Sequence, residues 1–253
     1  MCYKDIPVIH GHRKQRFCHR QSNPDNLIPI KTNFSTPSSY TFGLWNCQSA
    51  VNKTEFIQGL VNLSDIQALA LTETWIRPEN TVTPAALSID STFSHTPRPI
   101  GRGGGTGVLL SKYWKFTKLS PLSNITTFEY HAITITAPIK LVMVVIYRPP
   151  GSQLTNFVVE LDMLLSAIPD DDTPLIVMGD MNIQTDKALA VDFLSLLSSF
   201  DLKQTTTPPT HKAGNTLDLI FTRNCSTEDL TVTPLHLSDH FFIQFKATLP
   251  EQA

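Results

Sequence analysis

The apolar run Leu175, Ile176, Val177, Met178 stops at Gly179, and the polar residues that follow, Asp180 and Asn182, are separated only by Met181. A run this apolar reads as a buried strand. Because residues i and i+2 of an extended chain point the same way, its polar end predicts that Asp180 and Asn182 face one shared space at a cleft. The pattern recurs along the chain. Ala68 to Leu71 run into Glu73, "VVIYRPPG" ends a strand on Tyr147, and "FGLWNCQ" ends one on Asn46. "NTLDLIF" sets Asp218 inside an apolar strand, and "LHLSDHFFI" sets Ser238, Asp239 and His240 immediately before another. The chain therefore gathers its polar chemistry at strand ends.

Between these strands, Phe56/Leu60 and Ile57/Val61 repeat at i, i+4 and predict a helix over about Asn52 to Leu63. After a Pro-rich connection, Gly105 to Leu110, Tyr130 to Thr136 and Leu141 to Tyr147 read as strands, the last stopped by Pro149, Pro150 and Gly151. Leu154, Phe157, Val158, Leu161, Leu164, Leu165 and Ile168 fall at helical spacing. A further helix is predicted from Asp186, as N-cap, to about Ser199, and "NTLDLIFTRN", "LTVTPL" and "HFFIQFKATL" are strand-like. Helices interleaved with short, hairpin-connected strands predict an α/β sandwich of mixed sheets with helices outside, rather than an all-parallel sheet. Residues 41–249 carry no linker and are read as one domain. Residues 1–40 lack periodicity, cluster His10, His12, Arg13, Lys14, Arg16, His19 and Arg20, and are read as a disordered arm.

Composition narrows the function. A formal charge of -2 argues against a generally basic nucleic-acid coat. Cys2, Cys18, Cys47 and Cys225 form no Cys-x-x-Cys pair, which speaks against a structural zinc site or a disulfide framework. A reducing, intracellular setting, nuclear or cytoplasmic, is expected. No window of about 18 apolar residues predicts a membrane span. The glycine run "GRGGGTG" lacks the Gly-Lys-Ser/Thr ending of a phosphate loop and reads as a flexible turn entering a strand. Around it, Arg98, Arg102, Lys112, Lys115 and Lys118 are either a backbone-contacting edge for DNA or solvated charge.

Taken singly, an Asp or Asn after a strand is more often a turn former than a ligand. A strand-end Tyr serves equally well as a rim residue, and a lone histidine is more often a surface or hydrogen-bonded one. Asp218 resists that reading, because a carboxylate flanked by Leu217, Leu219 and Ile220 is costly to bury without a partner. Together, several carboxylates, two amides, a Tyr and a His supply oxygen ligands for one hard divalent ion and an acid and a base for hydrolysis. A phosphodiester needs those parts: charge neutralisation, a deprotonated water and a stabilised leaving oxygen.

The series Asn46, Glu73, Tyr147, Gly179-Asp180-Met181-Asn182, Asp218, Ser238-Asp239-His240 resembles the endonuclease/exonuclease/phosphatase superfamily. The segments "LWNCQSAVNK", "LTETWI", "GRGGGTGVLLS", "VVIYRPPG" and "PTHKAGNTLDLIF" look most like the endonuclease domain of non-LTR (LINE-type) retrotransposons. The resemblance covers about residues 41–249. It implies a four-layer sandwich, deoxyribonuclease-like, of two mixed sheets flanked by helices, with the active site at one end. Carried over, Glu73 would bind Mg²⁺ (Mn²⁺ as a substitute) with Asn46 nearby and Asp239 assisting. Asp180 would orient or deprotonate the attacking water, Asn182 and Tyr147 would hold the scissile phosphate, and His240, oriented by Asp218, would stabilise the pentacovalent state. Ser238 and Thr210 would contact the DNA or the site. Gln48 stands where abasic-site enzymes carry an acid, which favours the retroelement group.

The expected activity is Mg²⁺-dependent nicking of DNA that leaves a 3′-hydroxyl, as in target-primed reverse transcription. A phosphatase or phospholipid phosphodiesterase on the same fold, and a catalytically silent domesticated copy that binds DNA or protein, are the alternatives. The expected partner is the DNA phosphate backbone, with element RNA or reverse transcriptase added if the chain is part of a longer polyprotein. No reverse transcriptase is read in the chain, so a fragment, an isolated domain or a domesticated copy is expected.

Overall fold

The computed structural model describes residues 38–205 and 208–250. The basic cluster expected to form an N-terminal arm lies outside the described residues, while Ser38 to Tyr40 already belong to the first strand.

Among the described residues, twelve strands form two six-stranded sheets. The first contains β1 (Ser38–Asn46), β2 (Ala68–Thr72), β3 (Ser91–Thr96), β4 (Thr106–Ser111), β11 (Ser226–Thr233) and β12 (Phe242–Leu249), in the order β11-β12-β1-β2-β4-β3. The second contains β5 (Lys115–Lys118), β6 (Glu129–Ala137), β7 (Leu141–Tyr147), β8 (Leu175–Asp180), β9 (Lys203–Gln204) and β10 (Asp218–Arg223), in the order β5-β6-β7-β8-β10-β9. Each sheet is mixed. It contains one parallel pair, β1 with β2 or β7 with β8, and its other pairs are antiparallel. The parallel pairs are closed by crossover helices α1 (Thr54–Leu63) and α3 (Leu154–Ser166), as a parallel connection requires.

Strand alternation explains the layers. Phe42 and Leu44, Ala68 and Ala70, Met143 and Val145, and Ile176 and Met178 point between the sheets, where they meet Phe245, Ile220 and Ile133. Their neighbours face outward. Trp45, Leu69 and Leu71 pack on Ile57 and Val61 of α1 and on Leu87 of the short α2 (Val82–Leu87). Val144, Val177 and Leu219 pack on Phe157 and Leu161 of α3 and on Phe193 and Leu197 of α4 (Val191–Ser199). The molecule is a four-layer α/β sandwich whose central strands are buried on both faces, and that is why they read as unbroken apolar runs.

Several expectations are corrected. The helix predicted from Asp186 begins later, because a turn closed by Lys187 N–H on the Gln184 carbonyl (3.2 Å) comes first. A 3-10 turn at Ala188–Ala190 then leads into α4, so Asp186 caps nothing and instead pairs with Lys187 at 3.1 Å. The first helix starts at Thr54 rather than Asn52. The Pro-rich connection holds α2 and β3, and β5 follows Trp114; all three are too short or too polar for periodicity to reveal. Asp218 is the first residue of its strand, not an interior one.

Candidate active site

The inward parity of the sandwich continues past the apolar core to the strand ends. In β1 the series Phe42, Leu44, Asn46 shares one face; in β7 it is Met143, Val145, Tyr147; in β8, Ile176, Met178, Asp180; and in β10, Asp218 and Ile220. Four polar side chains therefore crown the inter-sheet core at one end. Register reinforces the grouping, since Asp180 lies opposite both Asp218 and Tyr147. Gly179 is required by close approach: a Cβ there would sit 1.8 Å from the Ile146 carbonyl oxygen.

His240 enters from the loop before β12. Its Nδ1 lies 2.8 Å from Asp218 Oδ2, and its Nε2 lies 3.7 Å from Asp180 Oδ2. Asn46 joins the two sheets, donating from Nδ2 to Asp180 Oδ2 at 2.8 Å and to Glu73 Oε1 at 3.0 Å. Its amide oxygen accepts the Gln48 N–H at 3.2 Å, so Asn46 turns an N–H, not an oxygen, toward the carboxylates. Burial on its own would lower the His240 pKa, but the hydrogen bond and charge of Asp218, followed by the charges of Asp180 and Asp239, outweigh it and raise it to about 9. Burial first, and then the charge of Asp218, pushes Asp180 well above the usual carboxylate range. An imidazolium and a carboxyl poised near neutral pH thus stand side by side, each suited to proton transfer.

Glu73 leaves the end of β2 with φ at 51°, and Trp75 follows with φ at 54°; both are in the left-handed region, which is uncommon for such side chains. Trp75 Nε1 donates to Glu73 Oε2 at 3.0 Å. The Tyr147 pKa is raised by burial and then by the charges of Glu73 and Asp180, which keeps its hydroxyl protonated. The glycine run leads into β4, as the sequence reading expects. Gly103, Gly104 and Gly105 all have positive φ, the Gly105 N–H donates to Glu129 Oε2 at 2.5 Å, and Glu129 also pairs with Arg98, whose guanidinium lies over the Tyr147 ring at 5.7 Å.

The donor set fits a hard divalent cation. Glu73 has no Lys, Arg or His partner among the described residues, and Asp239 Oδ1 is buried without a hydrogen-bond partner 3.9 Å from His240 Nε2. Three carboxylates, Asp180, Asp218 and Asp239, surround the buried His240 imidazole, and Glu73 stands on the far side of Asn46. Asp180, Asp218 and His240 also offer ligand atoms within 4.8 Å of one another, but Asp218 Oδ2 is already committed to His240 Nδ1. Glu73 and Asp239 are the carboxylates with capacity to spare.

Other predicted residues sit differently from expectation. Asp180 ends its strand, and Asn182 has φ at 50°, so the extended alternation expected to align their side chains stops between them. Instead the Asn182 N–H donates to Asp180 Oδ1 at 3.2 Å, and its Nδ2 donates to the Arg148 carbonyl at 2.8 Å. Ser238, expected to touch DNA, is buried; its hydroxyl donates to the Asn46 carbonyl at 2.8 Å and accepts the His240 N–H at 3.1 Å. Thr210 is fully buried, and its hydroxyl accepts the N–H groups of Leu217 and Asp218 at 3.0 and 3.1 Å. Both residues brace the Asp218–His240 pair from behind.

Sequence reasoning missed Arg148, Trp75 and His211. Buried Arg148 donates to the carbonyls of Met181 and Asn182 at 3.3 Å each, and also to Ser152, thereby fixing the loop after Asp180. The arginine next to Tyr147 in "YRPPG" was the only available signal. His211 accepts the Ala213 N–H on Nδ1 at 3.1 Å, which places its proton on Nε2, 3.4 Å from Asp239 Oδ2, while its ring lies edge-on to His240 with centroids 4.8 Å apart. Nothing in "THKAG" signals that placement.

Residues 43–240 match the Endonuclease/Exonuclease/phosphatase family. Among curated proteins, no sequence matches the chain. Solved structures that share its fold include the following three. The endonuclease domain of TRAS1, a telomere-specific non-LTR retrotransposon, aligns with TM-score 0.67 at 13% identity, covering 84% of this chain and 99% of that domain. The AP endonuclease LMAP from Leishmania major aligns at 0.63 and 14%, covering 84% and 88%. The 3′ phosphatase NExo from Neisseria, bound to a product DNA hairpin, aligns at 0.65 and 13%, covering 81% and 98%.

Proposed function

The chain belongs to the endonuclease/exonuclease/phosphatase family, and from that premise we propose that it hydrolyses a phosphodiester of DNA, nicking one strand to leave a 3′-hydroxyl. The observation that carries the reading is the buried row Asp218–His240–Asp180–Asn46–Glu73, which joins the two sheets through a proton-handling pair at one end and a half-exposed carboxylate at the other.

Asp180, its carboxyl raised toward neutrality, takes the proton of the attacking water. His240, held by Asp218 in the orientation that points its Nε2–H at the cleft, donates to the phosphoryl oxygens as negative charge builds on them. Asn182, fixed on the Arg148 carbonyl, keeps a second amide N–H for the same phosphate, and the protonated Tyr147 hydroxyl offers another donor. Water forms the new P–O bond, the P–O3′ bond breaks, and O3′ leaves to gain a proton as the 3′-hydroxyl. Glu73, with Asp239 across the cleft, would hold Mg²⁺, or Mn²⁺ in its place, which supplies charge neutralisation and leaving-oxygen stabilisation when bound. The likeness to the TRAS1 domain and the retroelement-like segments favour a 3′-hydroxyl used to prime reverse transcription, with element RNA and its polymerase as further partners. The same likeness favours a chromosomal, and so nuclear, target.

The test is nicking of supercoiled plasmid in Mg²⁺ by the native chain, Asp180→Asn and His240→Ala, each checked for folding. Nicking by the native chain alone supports the reading. Phosphate release from inositol phosphates or from 3′-phosphorylated DNA without nicking would replace it with a phosphatase on the same site.

A further inference from the structure

Beside Glu73 the surface opens into a groove of about 520 Å³ lined by Trp75, Arg77, Arg98, Arg102 and Gly103, with no acidic residue among its lining side chains. Trp75 is its floor. The indole is 43% exposed, whereas the other two tryptophans, Trp45 and Trp114, are buried. Its orientation is fixed at both ends: Nε1 donates to Glu73 Oε2, and the backbone N–H donates to the Gly104 carbonyl at 2.8 Å. Gly103 lies against both groups, its Cβ position falling 3.4 Å from Trp75 Nε1 and 3.7 Å from Glu73 Oε2, and its φ of 72° favours glycine there. Arg98 is taken up by Glu129 and Tyr147, but Arg77 and Arg102 are exposed and have no acidic partner within 4 Å among the described residues. An exposed aromatic face held in a left-handed backbone, joined to a catalytic carboxylate and flanked by two uncommitted guanidiniums, is a costly arrangement for a surface with nothing to bind.

We propose that this groove is a nucleotide subsite flanking the cut, in which one unpaired base stacks on Trp75 while the phosphates on either side of it are held by Arg77 and Arg102. The inference rests on the DNA-nicking reading and deepens it. Stacking on an aromatic face needs a base freed from its pair, so the subsite selects DNA with an unpaired or readily unpaired nucleotide beside the scissile bond. The arginines contribute affinity without sequence preference.

The experiment uses the full chain carrying Asp180→Asn, which removes turnover, and two duplexes of one sequence, fully paired or with a single unpaired nucleotide. The unpaired duplex is expected to bind more tightly and to quench the exposed indole. Adding Trp75→Ala should reduce that preference on the order of tenfold. Trp75→Phe keeps an aromatic face and removes only the N–H that bonds Glu73, so it should retain most of the preference. Arg77→Gln with Arg102→Gln should weaken both duplexes alike and lower the slope of log K against log salt by about 2. Equal binding of the two duplexes, a preference unchanged by Trp75→Ala, or one lost equally in Trp75→Phe and Trp75→Ala would overturn the subsite. Plasmid nicking by the native chain, run alongside, separates the two ideas: nicking with an unchanged preference removes the subsite alone, and absence of nicking removes the reading it rests on.

Discussion

Two histidines are buried where the sheets meet, and each ties one sheet to the other. His131 of β6 reaches Ser94 Oγ at 2.8 Å and Thr96 Oγ1 at 2.9 Å, both on β3 of the opposite sheet. His240, in the lead-in to β12, reaches Asp218 of β10. Burial is nearly equal, but the partners are not. With hydroxyls as its hydrogen-bond partners, His131 is driven by burial, then by the charges of Lys118 and His95, down to about 3, and it stays neutral. Carboxylates carry His240 to about 9, and it stays charged. The same side chain is a neutral pin at one position and a proton donor at the other, so the partner, not the depth, sets its chemistry.

The widest separation between the two regions is expected in activity. His240→Ala or Asp180→Asn should lower nicking by at least a hundredfold, the usual contribution of a positioned acid or base, while His131→Gln changes it by only a few-fold. Comparable losses in plasmid nicking from all three would erase the distinction. Next comes stability. Asp218→Ala strips His240 of its partner inside the protein and should cost about 3–5 kcal/mol, and His131→Ala, leaving two hydroxyls without partners, about 2 kcal/mol. Asp180→Asn should instead raise the denaturation midpoint by the equivalent of about 1 kcal/mol, because it removes a charge that burial and Asp218 already disfavour. A lowered midpoint would contradict that.

The pH dependence sharpens the contrast further. His240 binds its proton more tightly when folded, so its stabilisation is complete below about pH 6.5 and is lost as pH rises through about 9. Asp180 acts in the same direction: its raised folded pKa means that ionisation costs stability as pH climbs above the ordinary carboxylate range. His131 acts in reverse, since its folded pKa is depressed to about 3, and stability is lost as pH falls below about 6.5. Chemical denaturation across pH 4–10 should therefore have a shallower acid limb in His131→Gln and, in His240→Gln, lose the part of its alkaline limb between about pH 6.5 and 9, with the Asp180 contribution remaining. The nicking rate should rise as Asp180 ionises and fall near pH 9 as His240 gives up its proton. The smallest effect belongs to the exposed Lys140–Asp171 pair at 3.4 Å, where Lys140→Ala should leave the denaturation midpoint unchanged within measurement error.

How much of this was readable in the chain depends on backbone geometry. Asn46, Tyr147 and Asp180 sit in register with apolar residues two and four places earlier, so period-2 reading carries each to the rim of the inter-sheet core. Glu73, Trp75 and Asn182 break that rule because their φ angles are positive, and no alternation predicts where a side chain points after such a turn. His131 was invisible for another reason. "EYHAITITA" reads as an ordinary strand, and the hydroxyls that neutralise its histidine lie on a strand too polar to have been recognised.

By itself the sequence determined the sandwich, because central strands buried on both faces must be continuously apolar and must change character where the burial ends. It also determined which polar residues would stand at those ends. Only the tertiary structure decided what each of them became. Charge state and hydrogen-bond commitment depend on partners far along the chain: Ser238 was drawn inward by Asn46, 192 residues away, and Asp218 found His240, 22 residues on. Electrostatics and packing act through space, and no local pattern along the chain encodes the distance between two loops.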